Sequence, residues 1–190
     1  MVHILPHWNW SVGMTIPVWA YRNCDSVELF LNGVSQGSRT MTSTTMHVEW
    51  SVPWAAGTLG ADCRRGGNVV ASDTVRTAGS PAQIRLSADR TTIAADGRDL
   101  AYVTADILDA NGGFVPTATT GVTFAVSGPG TIVGVDNGNA IDTTSYTSLT
   151  RNAFSGKVLA IVRSTGAPGQ ITVTAASSNL TRGSVSTTAQ

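Results

Sequence analysis

The feature that most limits the fold of this chain is a two-residue alternation of apolar and polar side chains in short runs. Residues 26–32 show it, and residues 82–88 repeat it. This period is typical of a β-strand with one buried face, whereas an amphipathic helix repeats every 3.6 residues. Turn signals such as Asn32-Gly33 separate the runs at intervals of about 8–12 residues, the spacing of a β-sandwich. The sequence therefore predicts an all-β chain with no helix longer than a turn or two.

The length and an uneven composition predict two modules. The chain has 190 residues, which is long for one sandwich and sufficient for two. All five tryptophans and all three histidines precede residue 55. The segment 77–81 is small, flexible and ends in proline, as expected for a domain boundary. We expect two tandem immunoglobulin-like antiparallel β-sandwiches, over residues 1–79 and 80–190.

The charge content excludes several classes of partner. Charged residues make up 13% of the chain, the net charge is zero, and the longest basic cluster is Arg64-Arg65. Nucleic acid and anionic membrane surfaces are therefore not expected as partners. No apolar run approaches the ~20 residues that cross a bilayer. Residues 1–10 lack a basic stretch followed by an apolar one, so we do not expect them to be a secretory leader.

Neither hydrolytic chemistry nor a metal site is predicted from the ionisable residues. Glycoside hydrolysis needs two carboxyl groups about 5–9.5 Å apart. The only glutamates, Glu28 and Glu49, fall on outward positions of predicted strands. His3 and His7 would lie ~13 Å apart in an extended segment, too far to share one metal ion. We expect no catalytic residue, no metal and no cofactor in this chain.

One acidic loop and the two cysteines leave alternatives open. The loop 136–139, Asp-Asn-Gly-Asn, lacks the spaced acidic ligands of a calcium loop, so an ordinary turn is favoured. Cys24 and Cys63 form no C-x-x-C motif. We favour two buried free thiols, with a disulfide as the alternative, because sequence alone does not establish the geometry that pairing needs.

The segment His7-Trp8-Asn9-Trp10 is the most suggestive for ligand contact. In an alternating strand Trp8 and Trp10 would face the same side, where two indoles could stack on sugar rings. The alternative is that they pack against a neighbouring domain or inside their own module. Trp54, which follows a proline in a turn region, is a further candidate. His7, Trp8, Trp10 and Trp54 are thus the candidate residues for carbohydrate or interdomain contact.

Strings in the first half resemble a known family. HILPHWNW (3–10), IPVWAYRNCDSVELFLNG (16–33), HVEWSVPWAAGTL (47–59) and VASDTVRTAG (70–79) are similar to a module of bacterial glycoside hydrolase family 2 β-galactosidases. That module follows the catalytic barrel. One departure is the run 36–45, which is rich in serine and threonine where relatives usually carry a basic hairpin.

The second half resembles the next module of the same enzymes, in residues 81–112, 121–140 and 151–164. The resemblance implies an immunoglobulin-like fold akin to invasin-type repeats. It implies too that the two catalytic glutamates lie in a barrel that this chain lacks, and that the parent enzyme is periplasmic or secreted.

Two functions follow as expectations from this resemblance. The first is an accessory role, in which the modules brace the catalytic barrel of the parent chain or mediate assembly. The alternative is binding of galactosides or polysaccharide through surface tryptophans. A tandem of adhesin-like modules is less favoured, because the first half does not resemble an adhesin repeat.

Overall fold

The computed structural model describes residues 1–40 and 46–190. The described residues form strands joined by turns and contain no helix, so the prediction of an all-β sandwich fold is confirmed. The chain divides into two compact units, Met1–Ala78 (unit 1) and Gly79–Gln190 (unit 2). None of the described residues belongs to a helix that could span a membrane.

Unit 1 is a sandwich of two antiparallel sheets. Its strands are β1 (Val2–Leu5), β2 (Thr15–Arg22), β3 (Ser26–Leu31), β4 (Val34–Thr40), β5 (His47–Pro53), β6 (Thr58–Arg65) and β7 (Asn68–Arg76). One sheet has the order β1-β2-β5 and the other has the order β4-β3-β6-β7. Residues 36–40 of the serine- and threonine-rich run lie in β4, and residues 41–45 lie outside the described part.

The core of unit 1 follows the predicted alternation. In β2, Ile16, Val18 and Ala20 are buried and their neighbours point outward. Inward side chains of both sheets join in one apolar cluster, which stabilises the stack because each sheet hides one apolar face. Met46 keeps the two-residue spacing of buried Val48, Trp50 and Val52, but it precedes β5 and is 82% exposed.

The predicted hairpin turn at Asn32-Gly33 lies between β3 and β4. Both residues have positive φ, 51° and 81°, as a two-residue turn that matches the strand twist requires. The Asn32 side chain also accepts from Thr58 N at 2.8 Å and donates to Ala56 O at 3.0 Å. The turn is thereby held to the start of β6.

The two cysteines form a disulfide, so the favoured prediction of free thiols is wrong. The Cα atoms of Cys24 and Cys63 are 5.8 Å apart, within the range that a disulfide bridges. Cys24 lies just before β3, and Cys63 pairs with Val27 in the β3–β6 ladder. The bond therefore joins the turn before β3 to the neighbouring strand β6, a proximity that spacing in the sequence does not reveal.

Unit 2 is a second, larger sandwich. Its strands are β8 (Pro81–Ala88), β9 (Thr92–Ile93), β10 (Leu100–Asp109), β11 (Gly121–Ser127), β12 (Gly130–Asp136), β13 (Thr150–Asn152), β14 (Lys157–Ser164), β15 (Gly169–Ala176) and β16 (Gly183–Ala189). The sheets have the orders β12-β14-β10-β8 and β13-β11-β15-β16-β9. Pairing is antiparallel except between β9 and β16.

The core of unit 2 contains smaller side chains than that of unit 1. Phe124 is its largest fully buried side chain, accompanied by β-branched residues such as Val103 and Ile171. Strand β16 was missed by sequence reasoning, because its outward positions are serine and threonine and its inward ones include Gly183 and Thr187. The backbone of β16 pairs with β15 over seven residues, and this pairing stabilises a strand that its composition does not predict.

Candidate functional site

The candidate aromatic residues lie in and beside the segment that follows β1. Strand β1 ends at Leu5, and residues 6–14 form bends and turns before β2 begins. Trp8 and Trp10 are therefore not on one face of an alternating strand, which corrects the expectation from sequence. The segment instead folds over one end of the unit 1 core.

Trp8 belongs to the core. Its side chain is 0% exposed, the largest fully buried side chain in the described chain. The indole Nε1 donates to Ala55 O at 2.9 Å, and the Thr77 hydroxyl donates to Trp8 O at 2.8 Å. A ring in this position is not accessible to a sugar, so the packing alternative applies to Trp8.

Trp10 and His7 form a stacked pair. Their ring centroids are 4.7 Å apart and the planes differ by 18°. The Trp10 Nε1 donates to His7 O at 2.8 Å, and Asn9 N donates to His7 Nδ1 at 3.2 Å. Burial lowers the pKa of His7. The neutral imidazole is therefore the form that accepts from Asn9 and stacks on the indole.

Trp54 completes the cluster from the end of β5. It is half-buried against the core, and its Nε1 donates to Trp8 O at 3.3 Å. The structure thus brings His7, Trp8, Trp10 and Trp54 together. Each of the three indole N–H groups is paired within unit 1, so the polar atoms that would bind sugar hydroxyls are already engaged.

A second aromatic group, on the outer face of the β1-β2-β5 sheet, was not singled out from sequence. Trp19 in β2 is 38% exposed and stacks on His47 of β5, with ring centroids 4.4 Å apart and planes 24° apart. Tyr21 tilts against the same imidazole at 5.6 Å. The signal was present in β2, where Trp19 and Tyr21 alternate with buried Val18 and Ala20.

The two glutamates project from opposite faces of unit 1. Glu28 lies between buried Val27 and Leu29 on one sheet, and Glu49 lies between buried Val48 and Trp50 on the other. Stacked sheets are about 10 Å apart, and outward side chains diverge further. This separation exceeds the 5–9.5 Å or so that a pair acting on one glycosidic bond requires.

The carboxylate nearest Glu28 in the ladder is Asp62, its direct cross-strand partner on β6. Arg64 Nη2 lies 3.2 Å from Glu28 Oε2 and 3.8 Å from Asp62 Oδ2. The Ser35 hydroxyl also donates to Glu28 at 2.8 Å. The guanidinium between the two carboxylates offsets their repulsion, and the group forms an ion-paired sheet surface.

Beside the segment that joins β12 to β13, Arg151 of β13 is buried next to two aspartates. Arg151 is 2% exposed, and its Nη1 lies 3.3 Å from Asp142 Oδ2 and 3.6 Å from Asp136 Oδ1. Its Nη2 donates to Thr144 O, and the Tyr146 ring lies over the guanidinium at 5.2 Å. Across residues 1–40 and 46–190 no cluster of three or more His, Cys, Asp or Glu side chains could hold a metal ion.

Two further carboxylates of unit 2 are held in the charged state. Burial acts to raise the pKa of Asp106, but hydrogen bonds from Lys157 Nζ at 2.5 Å and Arg85 Nη2 at 2.8 Å outweigh it, and the pKa is lowered. The pKa of Asp109 is lowered by the backbone N–H groups of Gly79 and Gly113. A general acid needs a raised pKa, so neither group suits that role.

Family models match both units. The model of the glycoside hydrolase family 2 C-terminal domain 5 matches residues 84–186, more than half of the chain. The chain belongs to glycoside hydrolase family 2. A model of a domain of unknown function, DUF4982, matches residues 13–71. The predicted resemblance to the C-terminal region of this family is confirmed.

Among family 2 relatives, the Beta-galactosidase BoGH2A of Bacteroides ovatus is 44% identical over 95% of this chain and 21% of its own length. A putative beta-glucuronidase of Formosa agariphila is 36% identical over 93% of this chain and 18% of its own. The crystal structure of a beta-glycosidase from Bacteroides vulgatus superposes with a TM-score of 0.93 and 35% identity, covering 98% of this chain and 24% of that one. The chain therefore spans about a fifth of these relatives and corresponds to a C-terminal segment.

Proposed function

We propose that this chain is a non-catalytic accessory region of a family 2 glycoside hydrolase that acts on terminal β-galactosides or related β-glycosides. Unit 1 would be the module that follows the catalytic barrel, and unit 2 the immunoglobulin- and invasin-like module after it. The two units would brace that barrel or mediate assembly. The relatives that match almost all of this chain are named β-galactosidase and β-glucuronidase.

The observation that supports this proposal best is the placement of the two glutamates. Glu28 and Glu49 point away from each other on the two sheets of unit 1. Neither geometry of glycoside hydrolysis accommodates carboxylates separated by a whole sandwich. Among the described residues, the carboxyl groups with shifted pKa values all have lowered ones, namely Asp96, Asp99, Asp106, Asp109 and Asp142.

The internal pairing of the Trp8 cluster favours packing over sugar contact at that end of unit 1. Trp8 is buried, and the N–H groups of Trp10 and Trp54 donate to backbone carbonyls. A preformed, internally bonded surface suits contact with a neighbouring domain, because it loses little conformational entropy on docking.

The experiment has two arms. The purified chain is assayed against p-nitrophenyl β-galactoside and p-nitrophenyl β-glucuronide, and no turnover is expected; measurable turnover would refute the non-catalytic role. In the second arm, a longer chain that carries this region behind a barrel is compared with the same chain lacking it. We expect the truncated enzyme to have a lower melting temperature or a changed oligomeric state. Unchanged values for both would refute the bracing and assembly roles.

A further inference from the structure

Trp19 differs from the other four tryptophans in the hydrogen bonding of its indole N–H group. Four indole N–H groups donate to backbone carbonyls inside unit 1: those of Trp8 to Ala55, Trp10 to His7, Trp50 to Gly37 and Trp54 to Trp8. The Nε1 of Trp19 donates to no residue in the described part of the chain, and the ring is 38% exposed. Buried indole N–H groups usually find a partner within the protein, whereas that of the exposed Trp19 is left to solvent or to a ligand.

The side chains around Trp19 form a small platform on the outer face of the β1-β2-β5 sheet. Cross-strand pairing places Glu49 of β5 on one side of Trp19 and Leu5 of β1 on the other. Tyr21 is paired in the same way with His47, the residue that stacks on Trp19. We call Leu5, Trp19, Tyr21, His47 and Glu49 the Trp19 platform.

The chemistry of the Trp19 platform matches that of a pyranose ring. One face of such a ring is apolar, and its edge carries hydroxyl groups that need hydrogen-bond partners. The platform offers the face of the Trp19 indole that His47 does not cover, the N–H of Trp19 as a donor, and the Glu49 carboxylate as an acceptor. We propose that the Trp19 platform binds a pyranose ring of a glycan, with the ring stacked on Trp19 and a hydroxyl donating to Glu49.

The exposed area favours a sugar over a second protein surface. The large hydrophobic side chains that the platform exposes are Leu5 at 40% and Trp19 at 38%. For an aromatic side chain of roughly 150–250 Å², the exposed fraction of Trp19 corresponds to about 60–95 Å². A stable protein interface buries about 800 Å² on each partner and has few charges at its centre. The apolar area that Trp19 and Leu5 expose is a small part of such an interface, and the Glu49 carboxylate lies beside it, so one sugar ring fits the platform better than a subunit does.

This proposal goes beyond the accessory role and does not depend on it, because the platform could bind sugar whether or not the region braces a barrel. The test is a titration of the 190-residue chain with methyl β-galactoside, methyl β-glucuronide and soluble galactan, followed by nuclear magnetic resonance shifts of the indole N–H signals. We expect saturable binding in which the Trp19 signal moves and the four internally bonded indole signals do not.

The variants separate the platform from the rest of unit 1. Trp19→Ala removes the stacking plane and should weaken binding about tenfold or more. Trp19→Tyr keeps a ring and should retain part of the affinity. Glu49→Gln should weaken binding, whereas the matched control Glu28→Gln, on the opposite sheet, should leave it unchanged. Circular dichroism checks folding, and if Trp19→Ala unfolds, the tyrosine and glutamine variants decide.

Three results would overturn the proposal. The first is an absence of binding of all three sugars up to about 20 mM. The second is binding that survives both Trp19→Ala and Glu49→Gln in folded protein. The third is self-association, seen by sedimentation, that Trp19→Ala abolishes while no sugar binds, because the platform would then be an interface between two copies of the chain.

Discussion

Reduction of the Cys24–Cys63 disulfide should destabilise unit 1 and leave unit 2 unaffected. The bond joins residues 39 positions apart in the chain, so it closes a loop of about half of unit 1. In the chain-entropy model, cross-linking a loop of that length lowers the entropy of the unfolded state enough to stabilise the fold by about 4 kcal/mol. Unit 2 contains no cysteine, since Cys24 and Cys63 are the only two in the sequence.

This magnitude is large for a unit of this size. A domain of some 80 residues has a free energy of unfolding of roughly 4–12 kcal/mol, so the disulfide would supply a third or more of it. Because 1 kcal/mol shifts the melting temperature of such a domain by about 4–8 °C, reduction should lower the melting temperature of unit 1 by about 15–30 °C. A protein that depends on such a bond is expected to mature in an oxidising compartment.

The positions of the tryptophans make the measurement specific. All five lie in unit 1, so intrinsic tryptophan fluorescence follows the unfolding of that unit alone. Urea titrations with and without dithiothreitol give the change in the free energy of unfolding of unit 1. A Cys24→Ser/Cys63→Ser variant, which cannot form the bond, should show the same change without reductant. Far-ultraviolet circular dichroism, which reports both units, provides the internal control, because the transition of unit 2 should not move.

The reasoning would be refuted by equal fluorescence midpoints for the oxidised and reduced chains. Detection of two free thiols per chain in protein denatured without reductant would refute it more directly, since the bond would then be absent. A reductant effect of equal size on both transitions would also contradict it, because only unit 1 contains the bond.

Three further predictions concern the cores and charges. Trp8→Ala should destabilise unit 1 by about 3–5 kcal/mol in urea titrations followed by fluorescence, because it removes the largest buried side chain; a loss under about 1 kcal/mol would contradict the burial. Arg151→Met should lower the melting temperature of unit 2 by circular dichroism, since it leaves half-buried Asp142 without its cation, and millimolar calcium should not restore it. The lowered pKa of Asp106 contributes stability that is present above its ordinary value of 3.8 and is lost as the pH falls through the folded value. Asp106→Asn should therefore reduce the acid sensitivity of unit 2, and an unchanged pH profile would count against the ion pairs with Lys157 and Arg85.

The strands of this chain were largely predictable because most of them alternate inward apolar and outward polar residues, as the runs 26–32 and 82–88 do. Those two runs form β3 (Ser26–Leu31) and β8 (Pro81–Ala88), whose bounds agree with them within one residue. The turn at Asn32-Gly33 was predictable for a different reason, since few other residue pairs tolerate positive φ at two successive positions. These are local properties of the chain, which a single sequence contains in full.

Strands that depend on their neighbours were not predictable in the same way. Strand β4, with the sequence VSQGSRT, and β16, with the sequence GSVSTTA, have few apolar side chains. Each is ordered by the backbone of an adjacent strand, β3 and β15 respectively. Local composition cannot report a partner that is supplied by tertiary structure.

The positions of the candidate aromatic residues were also not predictable from local sequence, because they depend on where β1 ends. The spacing of Trp8 and Trp10 predicts a shared face only if the segment is a strand, and β1 ends at Leu5. Trp8 instead enters the core, and Trp10 folds back on His7. The exposed aromatic surface therefore lies on β2 instead of in this segment, because Trp19 occupies an outward position of that strand.

Arg151 shows how one buried cation can take the place of a metal in a loop of this kind. Carboxylates at Asp136 and Asp142 converge on one point, which in a calcium loop would be filled by a divalent ion. Here the Arg151 guanidinium lies at that point, and it also donates to the Thr144 carbonyl. The planar guanidinium fixes the directions of its hydrogen bonds, whereas a spherical ion has no directional preference. Because Arg151 belongs to β13, this arrangement of ion pairs forms with the folding of unit 2. Sequence reasoning rejected calcium for lack of acidic ligands, and the structure adds that the positive charge those ligands require is already present in the chain.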